Sequence, residues 1–460
     1  MSAKQWEIHA VYGGLTADDL GRMMGDRKLN PFTRAELLAC SLVTPFKETG
    51  RAHYRYLMQG ENGRRPYEQQ IADGLGWLQR LGLERSPFDG FSLLPRWSFG
   101  LELRFRLASP YLSRDDDAFY IIDNPVRKEK VFKVPMVSPT GWKGALRAVS
   151  THGLLAAFSS RLPKEPPRDE THREILLKKN LPELWKERAR LVLLFGNEKK
   201  NESDFLNRWL ALRLSVTPEG ETVEKRRKRL REEADRLRQS FEAFLKKEHY
   251  ITDKIEGRQG RLFCFPTFFD KIDLEIINPH DRERRVGKNP ILFECVPAGA
   301  EGTFRLLYVP YDFPSQVTRD EMGLRSQLTD DLPLLAETVS DLLLANGFGA
   351  KTSSGFGTTE PVAAWARLGI NVMVGQETEA GREPSSKEAK QPEESATSGR
   401  QNKLQREYEK LRAQHLDRDS ETTTRRSPPS PPDQERRYLV VDQRPFEIAK
   451  LREAVDGLFA

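Results

Sequence analysis

The chain of 460 residues carries 74 basic and 68 acidic side chains, a formal net charge of +6, and only 38% of its residues are hydrophobic. This hydrophobic share is low and the charged share of 31% is high for one compact globule, which predicts surface-rich or disordered segments. The mild basic excess excludes an argument for a nucleic-acid partner from net charge alone, so only local clusters of cations can indicate one.

Three cysteines, Cys40, Cys264 and Cys295, give neither the even count of a disulfide framework nor the spacing of a zinc site. The first residues lack the basic-then-apolar pattern of a signal peptide. No apolar run approaches the roughly 20 residues that a membrane helix needs. We therefore expect a soluble, cytoplasmic protein without a membrane partner.

Residues 1–95 are predicted to form a helical amino-terminal extension, from their apolar spacing and capping residues. The run Thr33-Arg-Ala-Glu36 has the pattern of a capping box, and Pro66 is a typical first-turn residue of a later helix. From Phe99 to Leu107 apolar and polar residues alternate, which predicts the first half-buried strand of a core over 96–368.

Within this core, residues ~160–250 are predicted to be a charged helical insertion. One apolar stripe runs through 224–247, which is typical of a packing face. The basic run 225–229 beside it could contact phosphate, but a solvated helix face is the favoured interpretation.

Four further strands and a helix over 332–346 are predicted before a glycine-rich loop, the strands at 261–269, 273–277, 291–296 and 302–309. A last strand-like run covers 358–368. Residues 375–436, rich in Glu, Ser, Lys, Gln and Pro, are predicted to be a disordered linker, with one short helix over 404–415. Residues 437–460 regain apolar residues at helical spacing and are predicted to be a docking helix that binds this protein or a partner.

The glycine-rich loop, Gly347-Phe-Gly-Ala-Lys-Thr-Ser-Ser-Gly-Phe-Gly357, frames a lysine and three hydroxyl side chains between two Gly-x-Gly turns. A phosphate-binding Walker loop is excluded because Ala350 precedes the lysine and the loop runs from helix to strand. The dinucleotide fingerprint fails because Thr352 stands where its third glycine would be. Neither a nucleotide nor a nicotinamide cofactor is expected.

Glycine permits positive φ, so this loop can lie against a sugar-phosphate backbone and hold it through a lysine, hydroxyls and amides. Phe348 and Phe356 are predicted to anchor the loop in the core. The alternative is a flexible connection, against which four glycines around one lysine argue. The predicted RNA-binding residues of the loop are Gly347, Gly349, Lys351, Thr352, Ser353, Gly355 and Gly357.

A second candidate anion site is Ser138-Pro-Thr-Gly-Trp-Lys-Gly-Ala-Leu-Arg147, where a strand turns into a helix. Lys143 and Arg147 lie four residues apart, so they share a helix face near the first amides, and both are predicted RNA contacts. An ordinary strand-to-helix turn is the alternative, and this motif alone is a weak signal.

Together, the glycine loop and the Lys-Gly-x-Leu-Arg turn resemble the repeat-associated mysterious proteins (RAMPs), subunits of type III CRISPR effector complexes. The resemblance covers ~98–365 and mixes features of the backbone-capping subunit and the target-cleaving backbone subunit. The usual serine pair before the lysine is missing. Five further segments match the family's motifs: Leu194-Phe-Gly196, Ile277-Asn-Pro-His280, Asn289-Pro-Ile291, Gly302-Thr-Phe-Arg305 and Ile122-Asp-Asn-Pro-Val126.

This resemblance implies an α+β fold of ferredoxin-like (RRM-like) modules, with the extension, the insertion and the tail added to it. It also implies a role in holding guide crRNA, or the crRNA–target duplex, with other RAMP subunits and the large polymerase-like subunit as partners. Three alternatives stay open: a guide-processing endoribonuclease of the same superfamily, a purely architectural subunit, and a free-standing RNA-binding protein. The first relies on a histidine, and no histidine here sits in a pattern tied to that chemistry.

Asp123 is the candidate catalytic residue and metal ligand. In the family's cleaving subunits, the resemblance implies, an aspartate at this position cuts target RNA with a divalent metal. A carboxylate can hold a hard cation such as Mg²⁺ beside the scissile phosphate, and Asp115–Asp117 could add to the site. The alternative is that Asp123-Asn-Pro caps a turn. A metal-dependent endoribonuclease is therefore one hypothesis for the chain.

Overall fold

The computed structural model of the chain describes residues 16–26, 28–43, 45–60, 65–114, 120–165, 167–197, 204–216, 218, 220–251, 257–278, 280–281, 286–287, 290–315, 317–372 and 438–459. The expected disordered linker at 375–436, the helix at 404–415 and the acidic run Asp115–Asp117 lie outside these residues. The described helices and antiparallel strands form an α+β fold, as expected.

The described part of the amino-terminal extension contains four α-helices: α1 (Ala17–Gly25), α2 (Pro31–Leu37), α3 (Lys47–Gln59) and α4 (Pro66–Arg80). Pro66 is the first residue of α4, as predicted. The capping box expected at Thr33 is not used. The Asn30 side chain caps α2 instead and accepts a 2.8 Å hydrogen bond from the Thr33 amide, because Pro31 fits the first helical position.

The core is a five-stranded antiparallel sheet with β1 (Phe99–Arg106) at its centre. Its neighbours are β11 (Glu301–Tyr308) and β13 (Trp365–Asn371), and its outer strands are β5 (Leu262–Cys264) and β14 (Tyr438–Gln443). The strands lie in the order β14-β13-β1-β11-β5. Along the chain, α5 (Pro139–Arg161) connects β1 to β5, and α9 (Glu321–Asp341) connects β11 to β13.

The alternation predicted for β1 is observed only in its second half, because Gly100 and Glu102 on the polar face are buried as well, Glu102 in an ion pair with Arg305. Phe99, Leu101, Leu103 and Phe105 are buried, whereas Arg104 and Arg106 are exposed. Trp142 of α5 packs edge-on against Phe105 and Phe304, and these side chains belong to the main hydrophobic cluster. Burial of such large aromatic side chains is the main force that holds the helices on this face of the sheet.

Three helices, α6 (Glu170–Phe195), α7 (Asp204–Leu214) and α8 (Val223–Lys247), make up the insertion. Together with the second half of α5 they enclose a hydrophobic cluster of their own, which includes Phe158, Trp185 and Phe241. The end of α6 enters the main core. There Gly196 has a φ of +79°, and a side chain on it would overlap the Arg258 carbonyl oxygen.

Short strand pairs complete the core. They are β2 (Met136–Val137) with β6 (Thr267–Phe268), β3 (Gly196–Asn197) with β4 (Arg258–Gln259), β7 (Asp273–Ile277) with β10 (Ile291–Cys295), β8 (His280–Asp281) with β9 (Val286–Gly287), and β12 (Val362–Ala363) with β15 (Phe446–Glu447).

A buried polar network joins the extension to the core. The Tyr54 hydroxyl of α3 lies 3.1 Å from the Tyr120 hydroxyl, which donates a 2.9 Å hydrogen bond to Glu294 of β10. Lys128 forms an ion pair with the same carboxylate, and the Val126 amide donates to it at 2.9 Å. Burial raises the pKa of Glu294 well above its ordinary range, and the Val126 hydrogen bond lowers it in part.

The last segment differs from the expected docking helix in its first half. It begins as β14, which pairs with the edge of β13, because a run of aromatic and β-branched residues favours a strand. Within 438–459, the described part of the segment, α10 (Leu451–Asp456) is the α-helix. Phe446, Ile448, Leu451 and Val455 are buried in the main hydrophobic cluster, so the segment docks on this protein.

Among the described helices, none combines the length and the apolar character that crossing a bilayer requires.

Candidate nucleic-acid interface

The glycine loop follows α9 through a π-helical turn, Leu342–Asn346. All four of its glycines have positive φ, as does Lys351 at +58°. Left-handed backbone is uncommon for a residue with a side chain and costs about 1–2 kcal/mol, so the loop holds its lysine in a strained conformation.

Three of the four glycines approach the protein itself. A Cβ atom on Gly347 would overlap the Phe356 carbonyl oxygen, one on Gly349 the Leu112 carbonyl oxygen, and one on Gly357 the Phe348 carbonyl oxygen. Around Gly355, by contrast, nothing lies within 4 Å of an added Cβ. At these three positions the glycine therefore lies close to the protein's own backbone.

Backbone amides of the loop are also used internally. The Ala350 amide donates to the Leu112 carbonyl at 2.7 Å, and the Gly357 amide donates to the Pro110 carbonyl at 2.9 Å. The Phe348 amide donates to Gly357 at 3.0 Å. These amides cannot also hold a phosphate, which corrects that part of the expectation. The exposed residues of the loop are Gly349, Ala350, Lys351, Ser353, Ser354 and Gly355, and Thr352 is half-buried.

Phe348 anchors the loop, as predicted. Its ring is buried, with its centroid 4.5 Å from that of Trp142, 5.4 Å from Tyr111 and 5.9 Å from Phe105. Phe356 is half-buried. Because Trp142 lies in the first turn of α5, the aromatic cluster fixes the loop against the start of that helix.

The cations of the second motif, residues 138–147, do not provide its contact with the glycine loop. Lys143 donates a 2.9 Å hydrogen bond to the Leu262 carbonyl of β5. Burial lowers the pKa of the Lys143 amine below its ordinary value, and Arg147 lowers it further. Arg147 is half-buried on the same helix face. The two motifs thus meet through Trp142 and Phe348, while Lys143 supports the edge strand of the sheet.

Lys351 lies beside the segment that carries Asp123. Its Nζ atom is 5.5 Å from the centroid of the Phe293 ring, close enough for a cation–π contact. Phe293 forms a β-bridge with Asn124, and the Glu294 amide donates to the Asn124 carbonyl at 3.0 Å. Lys351 and Asp123 are therefore brought to neighbouring positions, a proximity that their separation in sequence does not reveal.

Asp123 is held by cations of the amino-terminal extension. Arg51 Nη2 lies 2.7 Å from Asp123 Oδ2, and Lys47 Nζ lies 3.9 Å from Asp123 Oδ1. The aspartate side chain remains 57% exposed. Since its two oxygens each face a cation, the carboxylate neutralises part of a positively charged surface.

The described residues do not fit a divalent metal at Asp123. Across the part of the chain that the structure describes, no three His, Cys, Asp or Glu side chains are grouped as a metal site. A hard cation needs several oxygen ligands, whereas Asp123 is surrounded by an arginine and a lysine. The described residues therefore support no cleavage step through a metal at this position.

Cations outside the predicted set complete the surface. Lys47, Arg51 and Arg55 are spaced by four residues on α3, a spacing that places side chains on one helix face and could have identified them. The Arg127 amide donates a 2.8 Å hydrogen bond to Ser113 Oγ, in the segment that the loop contacts at Leu112. We call the group Lys47, Arg51, Arg55, Arg127 and Lys351 the basic surface.

Several solved structures are similar to this chain. A type III-B Cmr-beta complex bound to cognate target RNA has a matching chain with 10% identity and a TM-score of 0.34, covering 75% of this chain and 96% of that one. Cmr6 from Pyrococcus furiosus has 16% identity and a TM-score of 0.24, covering 57% and 97%. A chain of a CRISPR RNA-guided surveillance complex has 12% identity and a TM-score of 0.30, covering 69% of this chain and 84% of that one.

No curated protein matches the chain in sequence. The family model of the RAMP superfamily matches residues 82–360, which is more than half of the chain and includes both motifs as well as Asp123. This chain belongs to the RAMP superfamily.

Proposed function

We propose that this chain is an RNA-binding subunit of a type III CRISPR antiviral ribonucleoprotein in the cytoplasm. Its basic surface would hold the guide crRNA or the guide–target duplex. RAMP superfamily membership supports the proposal, as do the two motifs that resemble type III subunits. The proposed partners are guide and target RNA, other RAMP subunits and the large polymerase-like subunit.

The observation that carries this proposal is the position of Lys351. A strained loop tip presents its lysine, which contacts Phe293, and Phe293 bridges Asn124, whose neighbour Asp123 pairs with Arg51 of α3. Ser353 and Ser354 add exposed hydroxyls beside it. Lysine, arginine and hydroxyl groups are the usual partners of phosphate and sugar oxygens, which fix a strand's path without reading its bases.

The loop's glycines have a supporting role in this proposal. Gly347, Gly349 and Gly357 let the loop pack against residues 110–112 and against itself, and this packing sets the position of Lys351. At Gly355 nothing lies within 4 Å of an added Cβ atom, so an RNA backbone could approach it closely.

We also propose that the core is a ferredoxin-like (RRM-like) module. Its support is the succession β1-α5-β5-β11-α9-β13 with antiparallel neighbours, in which β1 and β11 occupy the middle of the sheet. β14 extends this sheet at the β13 edge.

RNA retention in the assembled complex tests the binding role. The chain would be purified with its co-expressed neighbours and guide RNA, as wild type, as Lys351→Ala, and as the control Lys450→Ala. Lys450 is an exposed lysine of the carboxyl-terminal segment, paired with Glu447 at 3.1 Å. Loss of one phosphate contact should weaken RNA binding about fivefold near 0.1 M salt. Equal retention in the two variants would overturn the role of Lys351.

A further inference from the structure

The first turns of α8 form an uncompensated basic patch. Residues 221–231 contain six cations and two carboxylates, a net charge of +4. Arg229 is paired with Glu221, through Nη2 at 2.7 Å and Nε at 2.8 Å. The other five side chains are exposed, and we call them the insertion patch: Lys225, Arg226, Arg227, Lys228 and Arg231.

Among the described residues, other cations of the insertion, unlike those of the insertion patch, are paired with carboxylates. Arg161 pairs with Glu187 at 2.6 Å, Arg173 with Glu170 at 3.0 Å and Lys178 with Glu174 at 3.8 Å. Later in α8 itself, Arg236 and Arg238 pair with acidic residues one turn away. Within the described part of the chain, no member of the insertion patch has such an ion pair.

Folding does not account for the placement of these cations. α8 begins at Val223, so Lys225 to Lys228 lie in its first two turns, where the helix dipole is positive. Carboxylates stabilise that end of a helix, whereas cations there are repelled by the dipole and by one another. A bound polyanion would relieve both repulsions.

Packing leaves the insertion patch open. Ala234, Leu237, Phe241 and Leu245 bury the later part of α8 in the insertion's own hydrophobic cluster. Its first residues, by contrast, are exposed from Thr222 to Lys228, and Val223 keeps 66% of its surface. A linear ligand can therefore reach several of the cations at once.

We propose that the insertion patch is a second phosphodiester-binding surface, which contacts an RNA segment other than the one at the basic surface. The inference rests on the proposed function in taking RNA as the polyanion. Clustered lysines and arginines without an apolar centre fit a repeating phosphate backbone, because each cation can meet a separate phosphate. Binding there should not depend on base sequence.

The test is the salt dependence of RNA binding by the full chain, followed by the fluorescence anisotropy of a labelled single-stranded RNA. Lys225→Gln/Arg227→Gln/Lys228→Gln removes three patch cations. Lys178→Gln/Lys186→Gln/Arg236→Gln removes three exposed cations of the same insertion that are paired with carboxylates. The patch variant should lose about 2 from the slope of log K against log salt, roughly a 100-fold weaker affinity near 0.1 M salt. The control variant should bind as wild type does.

Thermal unfolding separates this effect from misfolding, because loss of cations at the start of α8 should leave the melting temperature equal or higher. Equal salt slopes for patch and control variants, with RNA bound by both, would overturn the second surface and leave the basic surface standing. The same result is expected if the patch instead binds an acidic protein segment. Failure of the wild-type chain to bind RNA at all would overturn both proposals. Normal RNA binding by Lys351→Ala, together with weakened binding by the patch variant, would overturn only the role proposed for the basic surface.

Discussion

Asp123 and Arg51 form an ion pair, with 2.7 Å between Oδ2 and Nη2, that joins the core to helix α3 of the amino-terminal extension. An exposed pair of this kind contributes only about 0–1 kcal/mol to stability. Its larger consequence is electrostatic, because the carboxylate lies among cations that we propose to contact RNA.

Asp123→Asn should therefore strengthen RNA binding. Removal of the carboxylate frees Arg51 and Lys47 for phosphate, so the slope of log K against log salt should steepen by about 0.7 and affinity should rise severalfold. The measurement is a salt titration by fluorescence anisotropy, with Asp19→Asn as a control, since Asp19 pairs with Arg22 in α1. If Asp123 acts instead as a metal ligand, the variant should lose magnesium-dependent target cleavage without gaining affinity.

Lys128→Met should destabilise the protein by about 3–5 kcal/mol, because it leaves the fully buried Glu294 without its cation. Lys128→Met/Glu294→Gln should recover most of that loss, since the amide can still bond to Tyr120 and to the Val126 amide. Urea unfolding of both variants checks this. A double variant as unstable as the single one would show that the ion pair is not what the buried network requires.

Asp331 should make stability fall with rising pH. Burial raises its pKa from 3.8 to about 6, although Arg190, whose Nε lies 3.0 Å away, lowers it. Between these two values the folded state binds more protons than the unfolded chain, so this group destabilises the fold as pH rises through that window. Relative to Asp331→Asn, the wild-type chain should lose about 2.5 kcal/mol between about pH 4 and about pH 7.5. A constant difference between the two proteins would contradict the raised pKa.

Gly349→Ala should be far more damaging than Gly355→Ala. Both glycines have positive φ, which alone costs alanine about 1–2 kcal/mol. At Gly349 the methyl group would also overlap the Leu112 carbonyl oxygen, whereas at Gly355 it meets open space. We expect a loss of about 3 kcal/mol or more at Gly349, measured by chemical denaturation. Similar losses at both positions would contradict the packing described for the loop.

Local features of the glycine loop were accessible from the sequence. The paired Gly-x-Gly turns predicted positive φ, and the apolar character of Phe348 predicted its burial. The distant partners of the loop were not accessible, because Leu112, which Gly349 approaches, and Pro110, which accepts from the Gly357 amide, lie more than 200 residues earlier in the chain. The amides expected to face RNA are used by these long-range contacts.

The partners of charged side chains show the same limit. Asp123 pairs with a residue 72 positions away, and Lys143 bonds to a carbonyl 119 positions away. Motif spacing indicates which residues share a helix face but not which element packs against that face. The sequence therefore shows which residues carry a positive charge, whereas tertiary packing decides which of these side chains remain exposed.

The predicted element boundaries were wrong where a residue type fits two kinds of structure. The helix expected to begin at 332 begins at Glu321, with Asp320 as its cap and Pro333 inside it. A proline also fits the first turn of a helix, so Pro333 does not by itself mark the interior of one. In the carboxyl-terminal segment, Tyr438–Gln443 could form a helix or a strand, and the open edge of β13 selects the strand.

The most direct test of the proposed RNA path is a site-specific photocrosslink from the exposed loop tip. Benzoylphenylalanine would replace Ser353 in one sample and, as a control, the exposed Met322 at the start of α9 in another, within the complex assembled on labelled guide RNA. We expect an RNA adduct from position 353 and none from position 322. Adducts from neither position, or from position 322 alone, would contradict the claim that the glycine loop holds RNA.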